Sequence, residues 1–526
     1  MRALSEQKRQ LWQGAFVLSL AGIFSKVLSA GYRVPFQNIV GDVGFYIYQQ
    51  VYPLLGISVV LVTVGFPVTI SKIMNDYEAE NQAKILRISM MFLSAIGLSC
   101  FLILFAGAKG IAGLMGDPDL EQVIRAVSFS YLPLPFISFF RGYFQGRQSM
   151  LPTAFSQMGE QIVRVTVILL LTWWLVKQGF SLYDTGAGAA FASFVGGLAA
   201  FIILAKFWVT RDSRQRSGVS TLNTKTVIKQ LSLYTMTICV SSLMLILIQL
   251  VDAFNLYSLL LDHGLDKLEA KHIKGVYDRG QPLLQLGTVF AVSVATALVP
   301  TLTKARKQQE TKLVQIKVQY AMKTSLMLGI GAAVGLICIL DPVNMMLFKN
   351  SEGTAALQIF SLSIFFASFA MTITAVLQGF GHPFFPAVSV LLGTVMKTVL
   401  NVMLIPSFGI EGAALATALS FAFVALLNFS KLKRQSLTKL SDYKISGVLI
   451  SAFMMLMVLL AWLYIFDMVV DAESRWTAAF ESLTAVVLGG ATYLYSIIKL
   501  KVYSDEELEL LPFAIHLFTF KRKGGE

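Results

Sequence analysis

Apolar stretches close to the length of a bilayer-spanning helix recur along the chain, with short polar breaks between them. A spanning helix needs about 20 mainly apolar residues. Fourteen runs reach that length, near 13–40, 47–73, 85–108, 122–145, 153–176, 186–209, 230–261, 281–303, 318–340, 355–379, 384–406, 411–431, 445–467 and 476–499. Their aliphatic and Phe side chains show no two-residue alternation, so they predict helices rather than the strands of a barrel. The first run is too long for a signal peptide and no clear cleavage site follows it, so it is read as a helix of the fold. The expected fold is an all-α polytopic membrane protein of about fourteen transmembrane helices.

The polar breaks carry the orientation. With the N-terminus taken as cytoplasmic, the inner segments, counted with the run ends that border them, hold 30 of the 43 Lys and Arg and the outer loops hold 8. The other five, Lys26, Arg33, Arg125, Arg164 and Lys397, lie within the runs. Basic residues collect in cytoplasmic loops, so this asymmetry predicts both termini in the cytoplasm. Losing one helix would invert every later loop and destroy the pattern. Composition agrees: 56% of the 526 residues are hydrophobic and 14% are charged, against about 25% charged in soluble domains. A soluble globule and a disordered chain are both excluded. The net charge of +13 would suggest nucleic acid in a soluble protein. Here topology explains it, and 206–230, with 304–323 one of the two most basic breaks, has no aromatic or Gly-rich recognition pattern, so no nucleic-acid partner is expected. Cys100, Cys239 and Cys338 lie in apolar runs and form neither a disulfide framework nor a metal spacing.

Two parts of the chain resemble each other. Gln145-Gly146 follows the fourth run and Gln378-Gly379 the tenth; nineteen residues after the Gln stands a base, Arg164 or Lys397. Gly188-Ala189-Ala190-Phe191-Ala192 opens the sixth run and Gly412-Ala413-Ala414-Leu415-Ala416 the twelfth. Pro53-Leu54-Leu55 echoes Pro282-Leu283-Leu284. Six helices separate the copies, an even number, so they share orientation as in parallel-repeat transporters. This predicts an N-lobe over 1–209, a basic cytoplasmic linker over 210–229 and a C-lobe over 230–431. Two extra helices over 445–499 and a cytoplasmic tail over 500–526 follow.

A charge near the bilayer centre is costly, so it should face a cavity or a partner. Lys26 and Arg33, seven residues apart, share one helix face. Neither they nor Lys397 has an acid on its own helix, so all three are expected at a water-filled cavity. Glu160 and Arg164 stand at i,i+4, which suits a self-neutralising pair. Arg141 and Arg279 sit at run ends, where they can snorkel to the interface. Asp252 follows Gln249 and precedes Asn255 on one face and can pair with a base from another helix. Four deep bases (Lys26, Arg33, Arg164, Lys397) against two acids (Glu160, Asp252) make the cavity electropositive, suited to an anion and above all to phosphate. Glu160, Arg141 and Arg279 are secondary candidates for its lining.

Phe24-Ser25-Lys26-Val27-Leu28, then Pro35-Phe36 and Gly41, resembles the first helix of the stage V sporulation protein B and lipid II flippase group. Gly275-Val276-Tyr277 through Pro300, the Gly-Ala-Ala repeats, and the tail Glu506-Glu507-Leu508 to Leu511-Pro512 are similar to it too. That group belongs to the multidrug/oligosaccharidyl-lipid/polysaccharide (MOP) exporter superfamily. The resemblance implies a flippase in the bacterial cell membrane. Its substrate would be an undecaprenyl-diphosphate-linked saccharide, moved from the inner to the outer leaflet by alternating access. It implies that Lys26, within the Phe-Ser-basic-Val-Leu motif, and Arg33, displaced by one residue, bind substrate. It also implies that the last two helices form a groove for the lipid tail, and that Asp252 and Asn401 are candidates for a cation site. No cofactor is implied beyond Na+ or H+ as a coupling ion, or the membrane potential. Expected partners are the polyprenyl-diphosphate-linked glycan, membrane lipids and enzymes of cell-wall or polysaccharide synthesis.

Two rival readings stand beside this one. A cation-coupled drug exporter of the same superfamily usually has twelve helices and membrane carboxylates. A membrane enzyme acting on lipid-linked sugar would need a catalytic set. Asp117-Pro118-Asp119 is an Asp-x-Asp pair, but Asp-Pro forms turns and no other ligand gathers nearby; no nucleophile–base set or phosphate-binding Gly loop appears. No catalytic or metal site is expected. The topology has a direct check: alkaline phosphatase fused after Gly353 should be active, and the same enzyme fused at the C-terminus should be inactive.

Overall fold

The computed structural model describes residues 2–210, 222–435, 443–470, 474–504 and 507. The middle of the expected linker and most of the tail motif therefore lie outside the described residues. Every regular element among the described residues is helical. Among the described residues, twelve helical stretches are long and apolar enough to cross a membrane. Two of them, Val17–Asp76 and Phe384–Lys433, each take in two of the apolar runs. Each bends at one glycine outside the helical region, Gly41 (φ 69°, ψ −177°) and Gly409 (φ 54°, ψ −132°). The difference between twelve continuous stretches and fourteen runs lies at these two kinks. Gly116, Gly179, Gly264 and Gly353 also have positive φ and stand in the remaining breaks read as outer loops among the first twelve runs. Glycine adopts this backbone at little cost, whereas a Cβ strains it.

By packing, the chain divides into two compact units, 1–286 with 390–416, and 287–389 with 417–526. These units cut the chain differently from the repeat. In the first, α1 (Arg2–Gly31) continues through Tyr32, whose backbone is helical, into α2 (Arg33–Val60). The ladder widens into a π-turn at Leu61–Gly65 before α3 (Phe66–Asp76). Pro67 lies in the first turn of α3, where a missing N–H costs nothing. Then come α4 (Gln82–Leu114), α5 (Glu121–Ser128), α6 (Leu134–Gly146), α7 (Leu151–Lys177), α8 (Leu182–Val209), α9 (Thr224–Ser242), α10 (Met244–Asp262), α11 (Lys267–Asp278) and the start of α12 (Gly280–Lys307). Asp266 caps α11 by accepting from the N–H groups of Leu268 and Glu269. α7 and α8 lie close because α8 presents glycines to α7. A Cβ on Gly188 would lie 2.8 Å from Leu175 Cδ1, and one on Gly196 would lie 2.9 Å from the Glu160 carbonyl oxygen. Small residues are what let backbones approach in a bilayer, where no hydrophobic force separates helix from lipid.

The second unit holds the rest of α12, α13 (Thr311–Phe348), α14 (Thr354–Gly379), the two ends of α15 (Phe384–Lys433), α16 (Ile445–Val469) and α17 (Arg475–Lys499). Its core runs through Val318, Met322, Leu326, Leu377, Val448 and Ala485. Gly331 leaves room for the Tyr493 ring, whose hydroxyl donates to the Met327 carbonyl at 2.8 Å. A buried ion pair, Lys323 to Glu507 at 2.7 Å, ties the chain after α17 to α13. Large apolar side chains stay exposed on both units, among them Ile103, Leu170 and Ile202 on the first and Phe453, Met468 and Val487 on the second. α16 has a mean hydropathy of 2.5, yet only 28% of that window is buried. Such surfaces would aggregate in water and are solvated by lipid. The chain is a multi-pass, all-α membrane protein.

The α7–α8 seam has a test. Gly196→Ala should cost about 1–3 kcal/mol by overpacking against backbone and lower the melting temperature in detergent. Gly110→Ala, where nothing lies within 4 Å of the new Cβ, should leave it unchanged.

Candidate functional site

The bases expected at a cavity fall into two environments, both in the first unit. Lys26 and Arg33 stand on the continuous helix of α1 and α2, about 10 Å apart by its rise. Leu20, Phe24 and Val27 are exposed on a different face of the same helix. Lys26 is exposed, and Arg33 is 1% exposed with its guanidinium over the Tyr52 ring at 4.0 Å. Tyr32 and Tyr48 join through their hydroxyls at 2.7 Å. Arg33 and Arg164 both lie within electrostatic reach of Tyr32, Tyr48 and Tyr52. Arg164 donates to the Gln161 side chain. The Nε atoms of Arg33 and Arg164 are buried and have no hydrogen-bond partner.

Glu160 makes its ion pair with Arg141 rather than Arg164. Its carboxylate accepts from Arg141 at 2.8 Å, and Arg141 also reaches Ser156 Oγ and the Val62 carbonyl. Arg141 is fully buried and does not snorkel. The i,i+4 spacing of Glu160 and Arg164 therefore does not decide the pairing; a base from α6 takes the acid. Glu160 and Arg164 line a cavity of about 20 Å³ with Ser58, Ser130 and Ser193, room for a single water. Ser130 Oγ and Ser193 Oγ have no protein partner.

Lys397 is not placed with Lys26 and Arg33. It is fully buried, and its Nζ lies 2.8 Å from Asp252 Oδ1 and 2.9 Å from the Ala413 carbonyl. Asn401 donates to Asp252 Oδ1 at 2.9 Å, and Tyr277 donates to Asp252 Oδ2 at 3.0 Å. Asn401 Nδ2 also lies 2.8 Å from Asn255 Oδ1. Lys397, Asp252 and Asn401 form one buried cluster between α10 and the 390–416 segment.

Arg279 is fully buried too, and grips Asp42 with two bonds of 2.9 and 2.7 Å. Gln37 donates to the same carboxylate at 3.0 Å. Gly275 allows this approach, since a Cβ there would lie 2.1 Å from the Asp42 carbonyl oxygen. Lys274 and Asp278 form a second buried pair at 2.9 Å. Asp117 accepts from Tyr46, Tyr183 and Lys271 at 3.0, 2.7 and 3.2 Å, so the Asp-x-Asp segment serves a hydrogen-bonded network. Sequence reasoning missed Asp42, Lys271, Lys274 and Asp278, because they stand in polar breaks where charge is ordinary. The one signal was the i,i+4 spacing of Lys274 and Asp278.

A consistent division results. Arg141, Lys271, Lys274, Arg279 and Lys397 each hold a carboxylate. Among the described residues, no carboxylate pairs with Lys26, Arg33 or Arg164.

The profile of a family described as polysaccharide biosynthesis protein matches residues 11–306. An uncharacterized membrane protein of Bacillus subtilis (strain 168), YabM, is 53% identical over 99% of this chain and 98% of its own. The lipid II flippase MurJ of the same strain is 29% identical over 92% of this chain and 94% of its own. The chain belongs to the polysaccharide biosynthesis protein family. A solved structure of lipid II flippase MurJ in an inward closed conformation shares the fold, with a TM-score of 0.70 at 16% identity, covering 92% of this chain and 99% of that one. A solved multidrug resistance MATE family transporter of the MOP superfamily, in an inward-facing conformation, shares the fold as well, with a TM-score of 0.61 at 15% identity, covering 81% of this chain and 96% of that one.

The Asp42–Arg279 pair has its own test. Arg279→Met leaves a buried carboxylate uncompensated, which should cost about 3–5 kcal/mol. Combining it with Asp42→Asn should recover part of that loss in the detergent melting temperature.

Proposed function

We propose that this chain is a flippase for a polyprenyl-diphosphate-linked saccharide, a cell-wall or polysaccharide precursor, in the bacterial plasma membrane. The observation that carries this reading is the set of three bases that form no ion pair among the described residues, Lys26, Arg33 and Arg164. Arg141, Lys271, Lys274, Arg279 and Lys397 are each neutralised by a carboxylate, and among the described residues of the first unit the buried bases left without an ion pair are Arg33 and Arg164. A buried donor without a partner is costly, and Arg33 Nε and Arg164 Nε are two such donors. A diphosphate supplies the negative charge and the acceptor oxygens they lack, and guanidinium is the group best shaped for it. Stacking on Tyr52 holds the Arg33 plane in place, which lowers the entropy lost on binding. Lys26, exposed on the same helix, would meet the headgroup first. The apolar, mostly exposed α16 and α17 suit contact with the polyprenyl tail while the headgroup crosses.

Transport would proceed by alternating access, with the six-helix lobes over 1–209 and 230–431 rocking about the repeat axis. No step requires a bond in the substrate to break, so the reading is of a transporter and not an enzyme. With the inside negative, outward movement of net negative charge gains about 2.3 kcal/mol per charge per 100 mV.

The test is a reconstituted flipping assay. Purified protein in vesicles should translocate a lipid-linked diphosphate sugar, and Lys26→Ala and Arg33→Ala should each reduce the rate at least about tenfold, as loss of a charged hydrogen bond would. Both variants should insert at normal abundance. Normal flipping by both would defeat the electropositive site, and movement of cationic dyes alone would favour the drug-exporter reading.

A further inference from the structure

The cluster around Asp252 stands where a coupling cation was expected, and its residues do not fit one as they are arranged. Small monovalent cations take carboxylate, amide and backbone carbonyl oxygens as ligands. Here Asp252 Oδ1 and the Ala413 carbonyl both face the ammonium of Lys397, at 2.8 and 2.9 Å. The remaining contacts of the carboxylate are donors, Asn401 Nδ2 and the Tyr277 hydroxyl. Asp252, Lys397 and Asn401 are each no more than 1% exposed. The cluster is shut off from solvent, and one negative charge is already balanced by one positive charge. A free cation entering it would stand beside an ammonium and share a single carboxylate with it.

We infer that the Lys397 ammonium is a built-in counter-ion that permanently fills a monovalent-cation site, so that transport by this chain does not depend on sodium bound there. The inference rests on the transporter reading above. The lysine is well placed for the role. It bridges α10, through Asp252, to the part of α15 beyond the Gly409 kink, through Ala413. A bound ion would join the same two elements, but it could leave; a side chain cannot. The neighbouring Asn401 Oδ1 is buried without a hydrogen-bond partner. Removing the ammonium would leave Asp252 Oδ1 and the Ala413 carbonyl facing a vacated cationic position, with this unsatisfied oxygen on the residue that already donates to Asp252. Lys397→Ala should therefore create a sodium site.

The test uses purified full-length protein in detergent, melted in NaCl, KCl or choline chloride at equal ionic strength. The wild type should melt at the same temperature in all three. Lys397→Ala should gain a saturable, sodium-dependent rise of about 2 °C or more, and adding Asp252→Asn should abolish it. Binding of radioactive sodium to the wild type, which needs no variant to fold, should be absent. Sodium binding or a sodium-specific shift in the wild type overturns the inference. A Lys397→Ala protein that elutes as a monodisperse peak yet shows no response also overturns it. Should that variant not fold, the wild-type measurements decide. None of these readouts uses a lipid substrate, so a chain that fails to flip lipids would defeat the flippase reading while leaving this result to stand on its own. In flipping vesicles, replacing sodium by choline should change the wild-type rate less than about twofold.

Discussion

An ionised side chain in hydrocarbon must be paired, hydrated or bound to a ligand, because leaving it bare costs several kcal/mol. The polar interior of this protein is organised by that constraint. It explains why Arg141 reaches from α6 across to Glu160, why Arg279 holds Asp42 with two bonds, and why Lys397 is clamped by Asp252. The Arg279–Asp42 and Lys397–Asp252 pairs bring together helices that the chain order keeps apart. Electrostatic pairing of this kind supplies direction where packing against lipid supplies none.

Once the pairs are taken away, what is left is informative. Among the described residues Lys26, Arg33 and Arg164 form no ion pair, and Tyr32, Tyr48 and Tyr52 stand around the two arginines, with Asp278 and Glu160 within electrostatic reach of one each. Tyrosine orients a guanidinium through its ring face without cancelling its charge. Such a wall keeps its positive potential and is still held rigid. Replacing any of these tyrosines with an acid would turn the wall into another structural pair. The same economy governs close approach. Gly196 and Gly275 each lie where a Cβ would collide with a backbone oxygen, and Gly275 is what brings α11 against the carbonyl of Asp42.

Much of the fold was legible in the sequence. Hydropathy alone located the membrane helices, because a bilayer demands a minimum length of apolar helix and leaves few alternatives. The breaks read as outer loops among the first twelve runs coincide with positive-φ glycines. The count of runs exceeds that of continuous helical stretches only at Gly41 and Gly409, where hydropathy sees a polar gap and the backbone shows a kink. The place of Lys26, Arg33, Arg164 and Lys397 within apolar runs was equally legible, since position within a run is a one-dimensional property.

Pairing was not. Glu160 is four residues from Arg164, yet its partner comes from α6; Lys397 has no acid on its own helix, yet Asp252 meets it from α10. Arg141 and Arg279 stood at run ends, which reads as snorkelling, and both are fully buried. The sequence by itself determined that this is a polytopic helical membrane protein with a handful of deep bases, because length, hydropathy and charge are summed along the chain. Only the tertiary structure decided which of those bases are neutralised and which keep their charge. That depends on distances of about 3 Å between side chains of different helices, and helix rotation and tilt, which set those distances, are fixed by packing rather than by composition.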